Sequence, residues 1–252
     1  MRGTALKFAP WGFALLTLVI WQLAVTLSEV PAYLVPGPID IIGAFIADPL
    51  GLLGSLLSTL VVTFVSLIVA ALVGCVLAGL MAASPWARAA IQPWAVVLQV
   101  TPIVAIAPLI IVWVNDPFTA LVVCATIVAF FPVFSSTAAG LAATPRELVD
   151  LFRLNGAGRW SELWLLRLPS ALPYFLAGLR ISGGLALVGA VVAEFVAGAG
   201  GFASGLAFRI LESGYRLHIP RMFAALVLLS VAGIAINAAL GLVERRLMAG
   251  RS

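Results

Sequence analysis

RELVDLFRLNGAGRWSELWLLRLPSALP, residues 146–173, is a charged passage in the middle of an apolar chain. Seven charged side chains fall between Arg146 and Arg167, while all 252 residues hold only 14 Lys+Arg and 10 Asp+Glu. The passage reads as two short helices. Thr144-Pro145-Arg146-Glu147 starts the first: Thr144 suits the cap, Pro145 the first helical position and Glu147 the acid of a capping box. Leu148, Leu151, Phe152 and Asn155 then share one face, with Asp150 and Arg153 largely off it. Asn155-Gly156 ends the helix, because glycine accepts the left-handed conformation without a Cβ penalty. A second amphipathic helix starts near Gly158, with Trp160, Leu163 and Trp164 as its stripe, and Leu168-Pro169 should stop it. Amphipathicity alone leaves two readings open: an interfacial hairpin linking two spans, or a docking surface for a partner.

On both sides of the passage the chain is oil. It is 63% hydrophobic and 10% charged, with mean hydropathy +1.18. A soluble domain averages about 25% charged residues, so this chain cannot cover a water-facing globule and reads as an all-α integral membrane protein. Its apolar runs are long enough for helical spans and too long for barrel strands. Six spans are expected, near 9–28, 54–82, 91–114, 118–141, 170–198 and 222–244. The run after Arg2 and Lys7 is longer than a signal-peptide core of about 7–15 residues and no clean cleavage site follows it, so it reads as an uncleaved first span. Pro173 should help launch span five. VPAYLVPGPIDIIGAFIADPLG forms a short interfacial helix, with Ile39, Ile42, Phe45 and Ile46 on one face. Trp86 and Trp94 flank a headgroup-level turn at 84–93, and Asn115-Asp116-Pro117 turns between spans three and four.

Basic residues orient the chain. With the N-terminus inside, Arg2, Lys7, Arg88, Arg146, Arg153, Arg159, Arg167, Arg245, Arg246 and Arg251 lie inside, against Arg209, Arg216 and Arg221 outside. Both termini and the charged passage therefore face the cytoplasm. The three outer cations sit with Glu212 and His218 in a hydrophilic segment after Gly200 and Gly201, a segment for the outer surface or a partner there. The net charge of +4 is too scattered for a nucleic-acid groove. Cys75 and Cys124 lie singly in apolar runs, which implies neither a disulfide nor a metal site. The pairing of Ser204 with His218 does not make a hydrolase, since the histidine lies in the outer segment.

Glu194 is the one acid expected inside a span. An intramembrane carboxylate is a functional candidate by default; substrate contact, a backbone hydrogen bond near the outer gate and outward snorkelling all stay open. Arg180, near the inner interface, reads as a snorkelling side chain. Gly178, Gly183, Gly184 and Gly189 in span five suit close packing or a hinge. Thr101-Pro102 and Pro108 interrupt span three, and broken helices occur where they line a cavity or are shielded by protein. Thr101 and Pro102 are therefore pathway candidates. An ion-coupled secondary transporter is the alternative transport class, but no internal repeat is visible and only one acid is available to it.

The loop resembles a known signature. Asp150-Leu151-Phe152 stands where an E-A-A triplet would, Gly156 is the glycine three residues on, Leu166 takes the place of an isoleucine, and Leu168-Pro169 closes the pattern. That pattern, with VTPIVAIAPLIIVW, VVAEFVAGAGGFASG and LVERRLM, resembles the membrane-spanning permease subunits of binding-protein-dependent ABC importers, in the nitrate/sulfonate/taurine branch. The likeness runs over roughly residues 30 to 248. It implies a type I ABC importer permease fold, with six transmembrane helices and a coupling-helix loop between helices 4 and 5. On that likeness, residues 1–53 hold the first helix and an outer interfacial segment. Residues 54–248 are the permease core, with the coupling loop at 144–169. It implies an ATPase-docking loop of Leu148, Asp150, Leu151, Phe152, Arg153, Asn155 and Gly156, and a substrate pathway near Thr101, Pro102 and Glu194. The implied partners are two cytoplasmic ATPase subunits, a second permease copy, a periplasmic or lipid-anchored substrate-binding protein and the bilayer of the bacterial inner membrane. The implied solute is small and polar: a sulfonate, nitrate, a carboxylate or a thiamine-pyrimidine-like molecule. No G-x-x-x-x-G-K-[ST] loop occurs in the chain. It is thus not expected to be an enzyme or to hold a cofactor, and ATP and Mg belong to the partner ATPase.

Overall fold

The computed structural model describes residues 2–198 and 204–249; Gly200, Gly201 and Arg251 lie outside the described residues. Every regular element among the described residues is helical. This is the solution open to a chain in lipid that must satisfy its backbone within each span. Helices α1 (Arg2–Leu27) and α2 (Pro38–Ala47) precede α3 (Pro49–Ala83). Then come α4 (Pro85–Val100), α5 (Ile103–Trp113) and α6 (Pro117–Ala142). The charged passage forms α7 (Arg146–Leu154) and α8 (Arg159–Glu162), and a π-helical stretch, Leu163–Arg167, runs on into α9 (Leu168–Ala197). Helices α10 (Leu206–Tyr215) and α11 (Ile219–Met248) follow.

Four helical runs are long and apolar enough to cross a membrane: Pro49–Ala83, Pro117–Ala142, Arg159–Ala197 and Ile219–Met248. Helices α4 and α5 make a fifth if they count as one span, bent by 103° at its break. The apolar part of α1, Gly12–Leu27, is shorter. At 1.5 Å per residue it falls somewhat short of a hydrocarbon core about 30 Å thick.

The centre of the molecule is the pair α6 and α9, with α3 laid across both. Small residues set the spacing. A Cβ added to Gly178 would come within 2.7 Å of the Ser136 side chain, and one on Gly189 within 2.8 Å of the Ala125 backbone. Gly183 instead faces Leu240 and Ile236 of α11, while Gly184 has nothing within 4 Å. Close approach matters here because lipid competes equally for apolar side chains, so helix association depends on packing and polar cross-links. Such links are present: Ser182 Oγ donates to the Ala129 carbonyl at 2.6 Å, and Ser66 Oγ to that of Val122 at 3.2 Å. Arg180, half exposed, has partners on α11. It donates two hydrogen bonds to Asn237 Oδ1, at 3.0 and 2.9 Å, and lies 3.6 Å from Glu244, tying α9 to α11.

Several local expectations change. In α2, Ile39, Ile42 and Ile46 are exposed, but Phe45 joins Ile41 against α11 and the outer core. The helix is fixed by Gln22 Oε1, which accepts from the Ile39 N–H at 3.1 Å. The 84–93 segment is the first half of α4 rather than a turn; Ser84 Oγ caps it by accepting from Ala87 N–H at 3.4 Å. Asp116 caps α6 through the N–H and hydroxyl of Thr119, and these two bonds hold its carboxyl below the usual range. Pro173 lies inside α9 instead of launching it.

Candidate functional site

Helix α7 begins at Arg146 without a side-chain cap. Thr144 is buried, and its hydroxyl turns back to the Leu141 carbonyl at 3.3 Å, so the expected threonine cap does not form. The helix end is as expected. Gly156 has φ +77°, Gly156 N–H donates to the Arg153 carbonyl at 3.0 Å, and Ala157 N–H reaches back to that of Phe152 at 3.0 Å. Together these make the paired bonds of a Schellman motif. Asn155 Nδ2 adds a bond to the Leu151 carbonyl at 2.7 Å. Val149 is the buried residue of α7 and anchors it from behind. Leu148, Leu151 and Leu154 are exposed, with Leu154 85% accessible, and Asp150, Arg153 and Asn155 are exposed as well. Phe152 is half-buried.

The second helix differs from its expected form. Leu168-Pro169 does not stop it. Proline disturbs the i to i−4 pattern, and here the chain widens into a π turn at Leu163–Arg167 and continues as α9. The expected stripe is split: Leu163 is buried, together with Leu166, while Trp160 and Trp164 point outward. Glu162, which the sequence reading did not single out, is buried and holds the hairpin together. It accepts from Arg153 Nε of α7 at 3.2 Å and from Arg167 Nε at 2.7 Å. The clamp thereby joins α7 to the root of α9.

Span three breaks at Thr101-Pro102. Thr101 N–H and Oγ1 both donate to the Val97 carbonyl, at 3.1 and 2.6 Å, ending α4 before α5 turns off. The break borders a cavity of about 300 Å³ lined by Gln99, Thr101, Ile103, Val128, Phe131 and Leu185, among others. Among the described residues, no ionisable side chain lines it. Pro102, the N-cap residue of α5, stands at the break beside it. The sequence reading had not picked out Gln99 or Phe131.

Glu194 is elsewhere, buried near the end of α9. Thr59 Oγ1 of α3 donates to its Oε1 at 2.8 Å, and the Ala207 N–H of α10 to its Oε2 at 3.0 Å. The same threonine oxygen accepts from the Leu206 N–H at 2.9 Å. Glu194 and Thr59 therefore cap α10 across the fold, filling donors that a helix start leaves unmatched. Gly205 makes this approach feasible, since a Cβ there would lie 2.0 Å from Oε1. Among the readings open from sequence, the structure gives Glu194 the backbone hydrogen bond. It does not bring the residue to the Thr101 cavity, whose lining excludes it.

The outer cations are also taken up locally. Arg209 donates to Ser55 Oγ at 3.0 Å and pairs with Glu212, Arg216 pairs with Glu212, and Arg221 pairs with Asp48. Arg209 ties α10 to α3, and Arg221 ties the start of α11 to Asp48 at the α2–α3 junction.

Residues 70–249 match the family described as the binding-protein-dependent transport system inner membrane component. This chain belongs to that family. It is an ABC transporter permease, a multi-pass membrane protein of solute import. The riboflavin transport system permease protein RibX of Chloroflexus aurantiacus is 39% identical to this permease over 236 residues, 93% of this chain and 87% of that one. The formylaminopyrimidine transport permease protein ThiX of Halalkalibacterium halodurans is 32% identical and spans 100% of this chain and 99% of its own. Among solved structures, the permease is similar to a chain from the crystal structure of an amino acid ABC transporter with histidines, with TM-score 0.67. That likeness covers 82% of this chain and 98% of the other at 22% identity, and it bears on the fold alone.

Proposed function

We propose that this permease is the pathway subunit of an ATP-driven importer, and that α7 is the helix its ATPase grips. The observation that carries this is the form of α7: exposed Leu148, Leu151 and Leu154 on one side, with Val149 and the Glu162 clamp holding it from the other. A short helix pinned from behind with its apolar residues outward is what a helix-in-groove contact needs. The docking residues remain Leu148, Asp150, Leu151, Phe152, Arg153, Asn155 and Gly156. ATP and Mg are bound by the partner ATPase, two copies of which serve two permease copies, and a binding protein delivers solute from outside. Six spans, with α1 as the first and α4–α5 as the third, put both termini in the cytoplasm of a bacterial inner-membrane protein. Residues 54–248 form its core and 144–169 its coupling loop. The ion-coupled alternative is less well supported, because both oxygens of Glu194 are already engaged.

For the solute, we read the Thr101-Pro102 break and its cavity as pathway lining, with Glu194 supporting the wall rather than touching the cargo. Gln99 and Thr101 offer neutral hydrogen-bonding groups and Phe131 an aromatic face. A lining without charge suits an uncharged planar heterocycle better than a sulfonate, and the riboflavin and formylaminopyrimidine relatives agree with it. The test is uptake into vesicles holding the permease, its ATPase and its binding protein. Riboflavin or a pyrimidine should enter with ATP inside; uptake of taurine or nitrate instead would overturn this solute class. Loss of ATPase co-purification on Leu151→Asp, at unchanged permease level, tests the docking helix separately.

A further inference from the structure

Beside the loop, Arg153, Arg159, Glu162 and Arg167 line a pocket of about 170 Å³ with Ala82, Ala83, Pro85 and Leu163. Three guanidinium groups and one carboxylate line it, and that carboxylate is buried and bonded to Arg153 and Arg167. Among the described residues no acid pairs with Arg159. A second cleft, about 460 Å³, adjoins it through Ala82 and Pro85 and is lined further by Met81, Arg88, Ala89 and Gln92. Arg88 likewise has no acidic partner among the described residues. Trp86, Trp94, Trp160 and Trp164 are all exposed on the helices that make this region. Exposed tryptophan marks the level of lipid headgroups, and a basic pocket between helix ends at that level is complementary to an anionic head group.

We propose that the two cavities together bind one anionic phospholipid, its phosphate at the arginine pocket and its acyl chain along the Met81–Ala89 cleft. The excess positive charge selects the phosphate, and the alanine, proline and methionine walls suit a chain. Bound there, the lipid would brace the loop where Glu162 joins α7 to α9. The pocket shares Arg153 with the proposed docking loop, but the quenching measurement needs no ATPase, so it can fail while the docking reading stands.

The experiment uses the full-length permease in phosphatidylcholine vesicles containing a minor share of brominated phosphatidylglycerol, with brominated phosphatidylcholine as the reference. Bromine quenches nearby tryptophan. Each surface arginine is worth about fivefold in attraction to an anionic lipid. The brominated anionic lipid should therefore quench at several-fold lower mole fraction than the zwitterionic one. Arg88→Gln with Arg159→Gln should remove that preference, whereas Arg245→Gln with Arg246→Gln, arginines at the end of α11 with no acidic partner among the described residues, should leave it intact. Equal loss in both pairs would mean a general charge effect and would overturn the site. Absence of preference in the unaltered permease would also overturn it. So would quenching relieved by inorganic phosphate alone, which would mean a free-phosphate site. If only ATPase co-purification responds to Arg88→Gln with Arg159→Gln, the cluster is a protein contact and the lipid proposal falls.

Discussion

Two single residues show how differently chemistry can fix a turn and a cap. At Gly156 a Cβ would meet nothing within 4 Å, yet φ is +77°. The constraint is therefore backbone conformation, not space. Valine is poorly suited to that region and should cost of order 1 kcal/mol or more, while asparagine tolerates it. Gly156→Val should leave the permease inserted but weaken ATPase co-purification and lower uptake more than protein level; Gly156→Asn should retain most of both. Wild-type behaviour of the valine variant would show the loop to be a passive linker. At Glu194 the constraint is the count of acceptors. Thr59 Oγ1 accepts from Leu206 N–H and donates at its shortest distance to Glu194, with the Ser55 carbonyl farther off at 3.3 Å, and Ala207 N–H takes the other carboxylate oxygen. Glutamine offers one acceptor in place of two, so either the Thr59 hydroxyl must turn to the longer Ser55 contact or a donor is left unmatched, at a cost of up to about 1–3 kcal/mol. Glu194→Gln should raise hydrogen exchange across residues 205–215 and leave α6 unchanged. A variant that alters only solute preference, with exchange in α10 as before, would return Glu194 to the pathway.

At the scale of elements, the hairpin of α7 and the π-containing run into α9 behaves as one lever because of Glu162. Removing that carboxylate strands two arginines unequally: Arg153 is mostly exposed and rehydrates, while Arg167 is mostly covered. Glu162→Ala should therefore loosen α7 without unfolding α9, seen as faster tryptic cleavage after Arg153 with the spans intact and uptake reduced. Unchanged cleavage would mean that Val149 alone holds the helix. The hairpin also marks how far sequence reaches. The end of α7 was readable, since Asn-Gly after an amphipathic run carries its own local rule. The clamp was not. Glu162 and Arg167 are five apart, which is off the i+3 and i+4 neighbours of an α-helix, and they meet across a π turn that Leu168-Pro169 suggested only as a stop. Glu194 was legible as an acid in oil, but its partner Thr59 lies 135 residues away. Nothing local could choose between cap, gate and snorkel. The broken third span was signalled by Thr101-Pro102; the cavity beside it needed α6 and α9 to be in place.

For the whole molecule, the ends of α3 separate two chemistries. Near its start, Ser55 meets Arg209 and Asp48 meets Arg221, so the α2, α10 and early α11 segments gather there. Beyond its other end, Ala82, Ala83 and Pro85 line the pocket with Arg153, Arg159 and Arg167. A helix of 35 residues is about 52 Å long, well beyond a hydrocarbon core of about 30 Å. The two clusters therefore belong on opposite sides of the membrane. The basic bias then predicts which side is which: the arginine pocket, with Arg88 and Arg146 near it in sequence, is expected in the cytoplasm. Acidic neighbours do not cancel the topogenic weight of Arg209, Arg216 and Arg221, so the outer cluster must be tolerated as a minority rather than explained away. Ala44, in α2, lines a pocket with Asp48 and Arg221, and Ala157 lies in the loop between Arg153 and Arg159 in sequence. With Cys75 and Cys124 replaced by alanine, Ala44→Cys should react with an impermeant maleimide applied to intact cells. Ala157→Cys should react only after the membrane is opened. Reaction of both from the same side would contradict the fold as well as the orientation. Reaction of Ala157→Cys alone from outside would invert the permease and move its docking helix away from any cytoplasmic ATPase.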